Sequence, residues 1–427
     1  MVTRANKTHA WLGFTVATLG VVMWVGLGWE SLSLFADPVI KEFGLATRSQ
    51  FMLIITIIST CNMAGSLIYF GHIIEKFGVK KTFLIGGLIA TVGFLIMGLS
   101  QNIWMLYVGA AFYGIAIPLV NVNMMHLIID RWFAAHRMGR LVGVSYTISS
   151  FAGIIFSALV VFWIAATGWR IVFFVMTAVS LIITILIWFL YKGDPKDLGE
   201  VRLYEDEIVP EPGKGGQSRT GEGIPYRKMF KSWRFYALIA MEVILGMLAY
   251  SIMSNLALFA IDLGYDNLSG TVLSVALAAS VITMLPCGAI ADKLRSAWMI
   301  AVCLAALIIG SIILMNHSMP LIVLYIAAVC SGIAYNIVCV PMGITTLETL
   351  GSSDFSKKLG AVNAGMFAGC SISPVFMSMF YDFGGQTYDM ALIAVIVLAV
   401  IVGILAFPLT KRIRSEKTAE QVAEQAK

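Results

Sequence analysis

Two acidic side chains stand where the surrounding chain is almost wholly apolar: Glu30, in the run that begins at Ala10, and Glu242, in the run that follows Arg234. A charge at the centre of a lipid bilayer costs about 2.5–3.5 kcal/mol on insertion scales, so an acid kept at such a depth points to function. A carboxyl there can exchange a proton or balance a cation. The competing readings are an acid at the outer interface for Glu30 and, for Glu242, one that reaches the inner surface or pairs with Arg234. A third group is Asn123, His126 and Asp130, whose i, i+3, i+7 spacing places them on one helical face. An imidazole titrating near neutrality with a carboxylate one turn later could pass a proton along that face. The alternative is that Asp130 and Arg131 are gate residues at the membrane edge. No nucleophile–base constellation, nucleotide-cradling loop or metal-ligand cluster accompanies these acids, so no enzyme, cofactor or metal is expected. The six cysteines fall in apolar runs without paired spacing and read as packing residues.

The elements that must hold these residues follow from composition. Of 427 residues, 59% are apolar and 12% charged, and the mean hydropathy is +0.88. A soluble protein could not hide that much apolar surface. Uncharged runs such as Ala10–Trp29, Leu141–Trp169 and Ile171–Tyr191 are long enough to cross a ~30 Å hydrocarbon core, which takes about 20 helical residues. They lack the alternation of barrel strands, which leaves helices. The sequence therefore predicts an all-α membrane protein with twelve transmembrane helices. They lie near 10–35, 49–73, 82–100, 103–129, 138–166, 170–191, 235–261, 267–291, 297–315, 320–347, 359–381 and 386–409. The first run is too long for a signal peptide and is read as a retained helix.

With the N-terminus inside, every Lys and Arg except Lys41, Arg48 and Arg170 falls on the cytoplasmic side, as the positive-inside rule requires. Both termini are thus expected in the cytoplasm, with the chain in the inner membrane. The net charge of +5 then reports topology and attraction to anionic lipid, and nucleic acid is not an expected partner. The hydrophilic stretch 192–234, with its Gly/Pro-rich run Pro210–Gly216, reads as a flexible cytoplasmic linker between bundles at 1–191 and 235–410, with a tail at 411–427. Its end, Tyr226–Tyr236, mixes basic and aromatic residues in the manner of a segment lying on the inner leaflet.

Internal echoes make the halves repeats. Ser31-Leu-Ser-Leu-Phe-Ala36 recurs as Asn255-Leu-Ala-Leu-Phe-Ala260, and Gly71-His-Ile-Ile-Glu75-Lys76 as Gly288-Ala-Ile-Ala-Asp292-Lys293, each at the same depth of its half. The stretch Gly71-His-Ile-Ile-Glu75-Lys76-Phe-Gly78-Val-Lys80-Lys81 resembles the loop 2–3 signature of the major facilitator superfamily at every specified position. The resemblance implies two pseudo-symmetric six-helix bundles. It also implies that Gly71, Glu75, Lys76, Gly78, Lys80 and Lys81, with Asp292, Lys293 and Arg131, latch the inner gate in the outward-open state.

Leu34-Phe-Ala-Asp-Pro38, Asp130-Arg131-Trp132-Phe133 and Arg137-Met-Gly139 resemble the monocarboxylate and oxalate–formate branch of that superfamily. The branch carries an Arg in helix 8, and its oxalate-type members a Lys in helix 11. Here helix 8 has neither, and Lys357 and Lys358 sit at the cytoplasmic start of helix 11. At the depths that form the family's cavity stand Trp24, Trp29, Glu30, Asn121, Tyr146, Ser150, Tyr250, Ser251, Ser254, Tyr335 and Asn336. They describe an aromatic pocket with an acid and no fixed cation. The expectation is a monomeric, proton-coupled symporter for a small organic solute, monocarboxylate-like, neutral or cationic, with Glu30, Glu242, His126 and Asp130 as coupling groups. Efflux by proton antiport is the alternative. Helix 5, from Gly143 to Gly153, has none of the proline found in typical proton antiporters, which favours uptake.

Overall fold

A computed structural model describes residues 6–195, 198–204, 224, 226–291, 296–338, 341–351 and 355–410. Twelve helical segments cross the molecule. They are α1 (Lys7–Phe43), α2 (Arg48–Ile68), α3 (Phe70–Leu99), α4 (Ile103–Trp132), α5 (Ala135–Thr167), α6 (Trp169–Leu190), α7 (Trp233–Asp262), α8 (Ser269–Ala291), α9 (Ser296–Leu314), α10 (Leu321–Tyr335, resumed at Pro341–Leu350), α11 (Phe355–Phe383) and α12 (Asp389–Leu409). Eleven are long and apolar enough to span a bilayer, and α10 is the short one. Large apolar side chains such as Phe162, Phe189 and Ile404 remain more than two-thirds exposed on the outside of the bundle, where lipid tails would cover them.

Local chemistry sets the ends. Asn6 and Asn102 cap α1 and α4, their side-chain oxygens accepting from the Thr8 and Met105 amides. Gly44, at φ 59°, closes α1 in the left-handed conformation. Three spans are broken inside. In α1 a π-helical turn at Val22–Leu27 and a 3-10 turn at Leu32–Phe35 replace regular winding. In α4 the backbone breaks at Asn121, three residues after Pro118. In α10 a 3-10 turn at Asn336–Val338 follows Tyr335, so the expected continuous span 320–347 is in fact two helices.

The helices α1–α6 pack on one another, as do α7–α12. The extensive contacts between the two sets are α2 against α11 and α5 against α8. The end of the bundle where α6 stops and α7 starts is called the linker face below, and the opposite end the far face.

Residues 198–204 lie against the linker-face end of the first half. Leu203 exchanges backbone bonds with Trp132 (2.8 Å) and Ala134 (3.0 Å), and Glu200 meets His9 at 2.9 Å. Asp194 pairs with Arg131 and accepts from Tyr191 (2.8 Å). Burial, then the charge of Asp194, pushes the Tyr191 phenol well above its usual pKa and keeps it a donor. Beyond the gap, Ile224 donates its amide to the Leu350 carbonyl at 3.1 Å in the other half. Polar backbone on a bundle end binds whatever partner it can reach, and composition does not reveal that.

Candidate functional site

The π turn decides what α1 presents. An i→i−5 bond, from the Glu30 amide to the Val25 carbonyl at 3.1 Å, adds a residue to the turn and shifts the phase of everything beyond it. Trp29 and Glu30 thereby face the second half. The Tyr335 hydroxyl of α10 lies beside the Glu30 carboxylate, a polar contact across the two halves. Trp29 faces Tyr250 of α7. The Trp29 and Tyr250 rings lie 5.6 Å apart, and those of Tyr250 and Tyr335 6.0 Å apart. Gly153 of α5 packs close to the acid: a Cβ built there would lie 3.6 Å from Glu30 Cγ, in ordinary contact. Glu30 is half-buried and keeps part of its surface exposed.

The other expected residues separate into groups. Tyr146 and Ser150, half-buried, share the α5 face of Gly153 by their spacing and lead toward the linker face. Asn121 is buried at the α4 break, its side-chain oxygen without a partner among the described residues. Trp24 turns away, into the first half, where its indole donates to Ser180 (3.3 Å) and its ring meets Phe83. Asn336 bonds to Ser280 (2.9 Å) and Thr283 (2.7 Å) of α8, and Ser251 and Ser254 bond backbone within α7. The polar stripe of α4 is not joined. Asn123 donates to Ser66 of α2 (2.9 Å), His126 meets the Tyr146 ring, and Asp130 is half exposed, 3.8 Å from Arg202. Glu242 is 1% exposed, and neither of its oxygens has a hydrogen-bond partner among the described residues. Lys358 is buried too, its ammonium spent on the Leu350 (2.7 Å) and Gly351 carbonyls at the end of α10. A shallow groove of about 480 Å³ between α9 and α12, with Leu304, Ile308, Gly403 and Phe407 in its walls, is almost wholly apolar and opens outward.

The sequence profile of the Major Facilitator Superfamily matches residues 18–352, and again 267–426. The chain belongs to that superfamily. It is therefore a membrane transporter and not an enzyme. It is 28% identical over 201 residues to the probable sulfoacetate transporter SauU of Cupriavidus necator, a match covering 46% of this chain and 45% of that protein. It is 31% identical over 125 residues to an uncharacterized MFS-type transporter of Mycobacterium tuberculosis, covering 29% of this chain and 21% of the relative. The matched segments thus span less than half the length of either relative. Among solved structures, the nucleoside transporter NupG superposes with TM-score 0.71 at 11% identity, over 95% of this chain and all of that one. A bacterial homologue of the human lysosomal transporter Spinster, inward-facing and unoccupied, gives 0.69 at 13%, over 94% and 96%.

This major facilitator has its halves joined at the far face, by residues the sequence reading did not single out. Arg48, at the start of α2, forms an ion pair with Asp262 at the end of α7, and its guanidinium lies 4.0 Å over the Tyr381 ring. Asp382 accepts from the Arg48 (3.0 Å) and Ser49 (3.1 Å) amides, capping the α2 N-terminus from the other half. Arg48 also donates to the buried Tyr388 hydroxyl (3.1 Å), whose pKa burial raises. Deeper in, Thr56 donates to the Ser371 carbonyl (2.6 Å) and Ser274 to that of Ile154 (2.7 Å). Gly270 brings α8 so near α5 that a Cβ would lie 2.4 Å from the Ser157 carbonyl oxygen. One signal for this gate was available: Arg48 is one of three basic residues on the face poor in them.

At the linker face the lower parts of α4 and α10 make their extensive contacts inside their own halves. In the signature, Gly78 takes φ 72° and breaks the helix between Phe70 and Leu99, while Glu75, Lys76 and Lys81 are exposed and Lys80 lies 4.6 Å over the Trp188 ring. Gly71 is helical; Asp292 and Lys293, the expected second copy, lie outside the described residues.

Proposed function

We propose that this transporter is a proton-coupled symporter for a small organic solute in the cytoplasmic membrane, working as a monomer with both termini and the linker face in the cytoplasm. Residues 1–191 rock against 235–410 around the Glu30 cluster, and the arrangement described is the one open to the cytoplasm. The carrying observation is that two acids lie at depth in different settings. Glu30 stands half-buried where the halves face one another, with Tyr335 of the other half beside it, while Glu242 is sealed with neither donor nor counter-ion among the described residues. A carboxylate so placed bears a desolvation cost of several kcal/mol that one bound proton removes. Glu242 thus suits the coupling proton and Glu30 the solute. His126 and Asp130, each engaged separately, support a relay less well.

The test is proton movement into proteoliposomes holding a trapped pH dye, on adding a panel of acids, amines, amino acids and sugars. A solute that carries protons in should accumulate under an inward proton gradient. Glu242→Gln should abolish accumulation and leave solute counterflow intact. Accumulation driven by sodium alone, or unaffected in Glu242→Gln, overturns the reading.

A further inference from the structure

We propose that the Glu30 cluster is a binding site for an organic ammonium group, an assignment that rests on Glu30 being the solute site. Three features of the cleft lead there. Its acid lies where the two halves face one another, and the titratable groups facing it are phenols: Tyr335 on α10, Tyr250 on α7 and Tyr113 on α4. No Lys, Arg or His among the described residues pairs with it, and the buried Lys358 of the second half is held on the α10 carbonyls. The rings of Trp29, Tyr250 and Tyr335 stand in a row at 5.6 and 6.0 Å, tilted by 41° and 44°, so their faces are not consumed by mutual stacking.

A carboxylate beside successive aromatic rings attracts a cation twice, by its charge and by the negative faces of the rings, and both act more strongly in a site shielded from water. An anion there meets the opposite field. A carboxylate or sulfonate solute would face Glu30 with only phenol, indole and amide donors to offset the repulsion. Glu30, Trp29 and Tyr335 each keep part of their surface exposed, and it is there that an alkyl- or arylammonium head would meet them. Because a proton and an ammonium group compete for the same carboxylate, binding should strengthen as pH rises.

Benzyltrimethylammonium and phenylacetate, matched in ring and opposite in charge, serve as probes. Calorimetric titration of the detergent-purified full chain needs no ion gradient. Benzyltrimethylammonium should bind, and at least tenfold more tightly than phenylacetate. Glu30→Gln should weaken it tenfold or more, and Tyr250→Leu severalfold. Tyr335→Phe keeps the ring and removes the hydroxyl beside the carboxylate, so it should bind as well as the native chain or better. Tighter binding of phenylacetate, or full ammonium affinity in Glu30→Gln, overturns the assignment. So does a tenfold loss in Tyr335→Phe. Ammonium binding without solute-driven proton flux would sink the coupling reading and leave this one standing, and proton flux driven only by acids would do the reverse.

Discussion

The two ends of this bundle use charge in opposite ways. At the far face Arg48, Asp262 and Asp382 are committed to partners in the other half, whereas at the linker face Glu75, Lys76 and Lys81 of the signature point outward. The lesson is that opening and closing are an exchange between two sets of partners. On the rocking mechanism proposed above, each set is satisfied in one arrangement of the halves, and a solute shifts the balance by binding the arrangements unequally. The strongest bonds seen are therefore those of the face that is shut.

The closest backbone approach across that shut face gives the most direct way to break the contrast. Gly270→Val would put carbon 2.4 Å from the Ser157 carbonyl oxygen, and two helix backbones cannot yield as a side chain can. The far face should stay open. Transport is expected to fall at least tenfold, and a cysteine placed at Ser150 in a cysteine-free background should become reactive to an impermeant maleimide added from the far side. Native transport in this variant would show that α5 and α8 need not meet.

Asp262→Asn should have an intermediate effect. It removes the Arg48 counter-charge in a pair that is partly open to water, 16% exposed at Arg48 and 31% at Asp262, so the cost is about 1–2 kcal/mol and not the full cost for a buried pair. That corresponds to a shift of roughly five- to thirtyfold toward far-face opening. The same labelling reads it, and high salt should shrink the difference. An unchanged labelling rate would mean that the Asp382 cap alone holds the gate.

Glu75→Gln should do least. The side chain is exposed here, so melting temperature and far-face labelling should match the native chain, while transport drops by about threefold as the closed linker face loses one acceptor. Full transport in this variant would strip the signature acid of any latch role.

Much of the architecture was legible in the chain, and for a local reason. Lipid demands about 20 apolar helical residues per crossing, so spans announce themselves by composition, and most of them emerged within a few residues, although α1 runs on to Phe43 and α3 extends back over its loop. The broken α10 was harder to see, because apolar composition persists through the turn at Asn336–Val338. The site was legible by type more than by aim. Trp24 and Trp29 are equally aromatic, five residues apart on one helix, yet one is locked against Ser180 and the other faces Tyr250.

What the sequence by itself determined is therefore the twelve crossings, the duplicated halves and the absence of a fixed cation at their centre, all of which follow from residue type and spacing along one chain. What the tertiary structure alone decided is which acid meets the cleft, which is sealed from it, and which face is shut. Those depend on the rotational phase set by one π turn and on the approach of helices hundreds of residues apart, neither of which leaves a periodic trace in the chain.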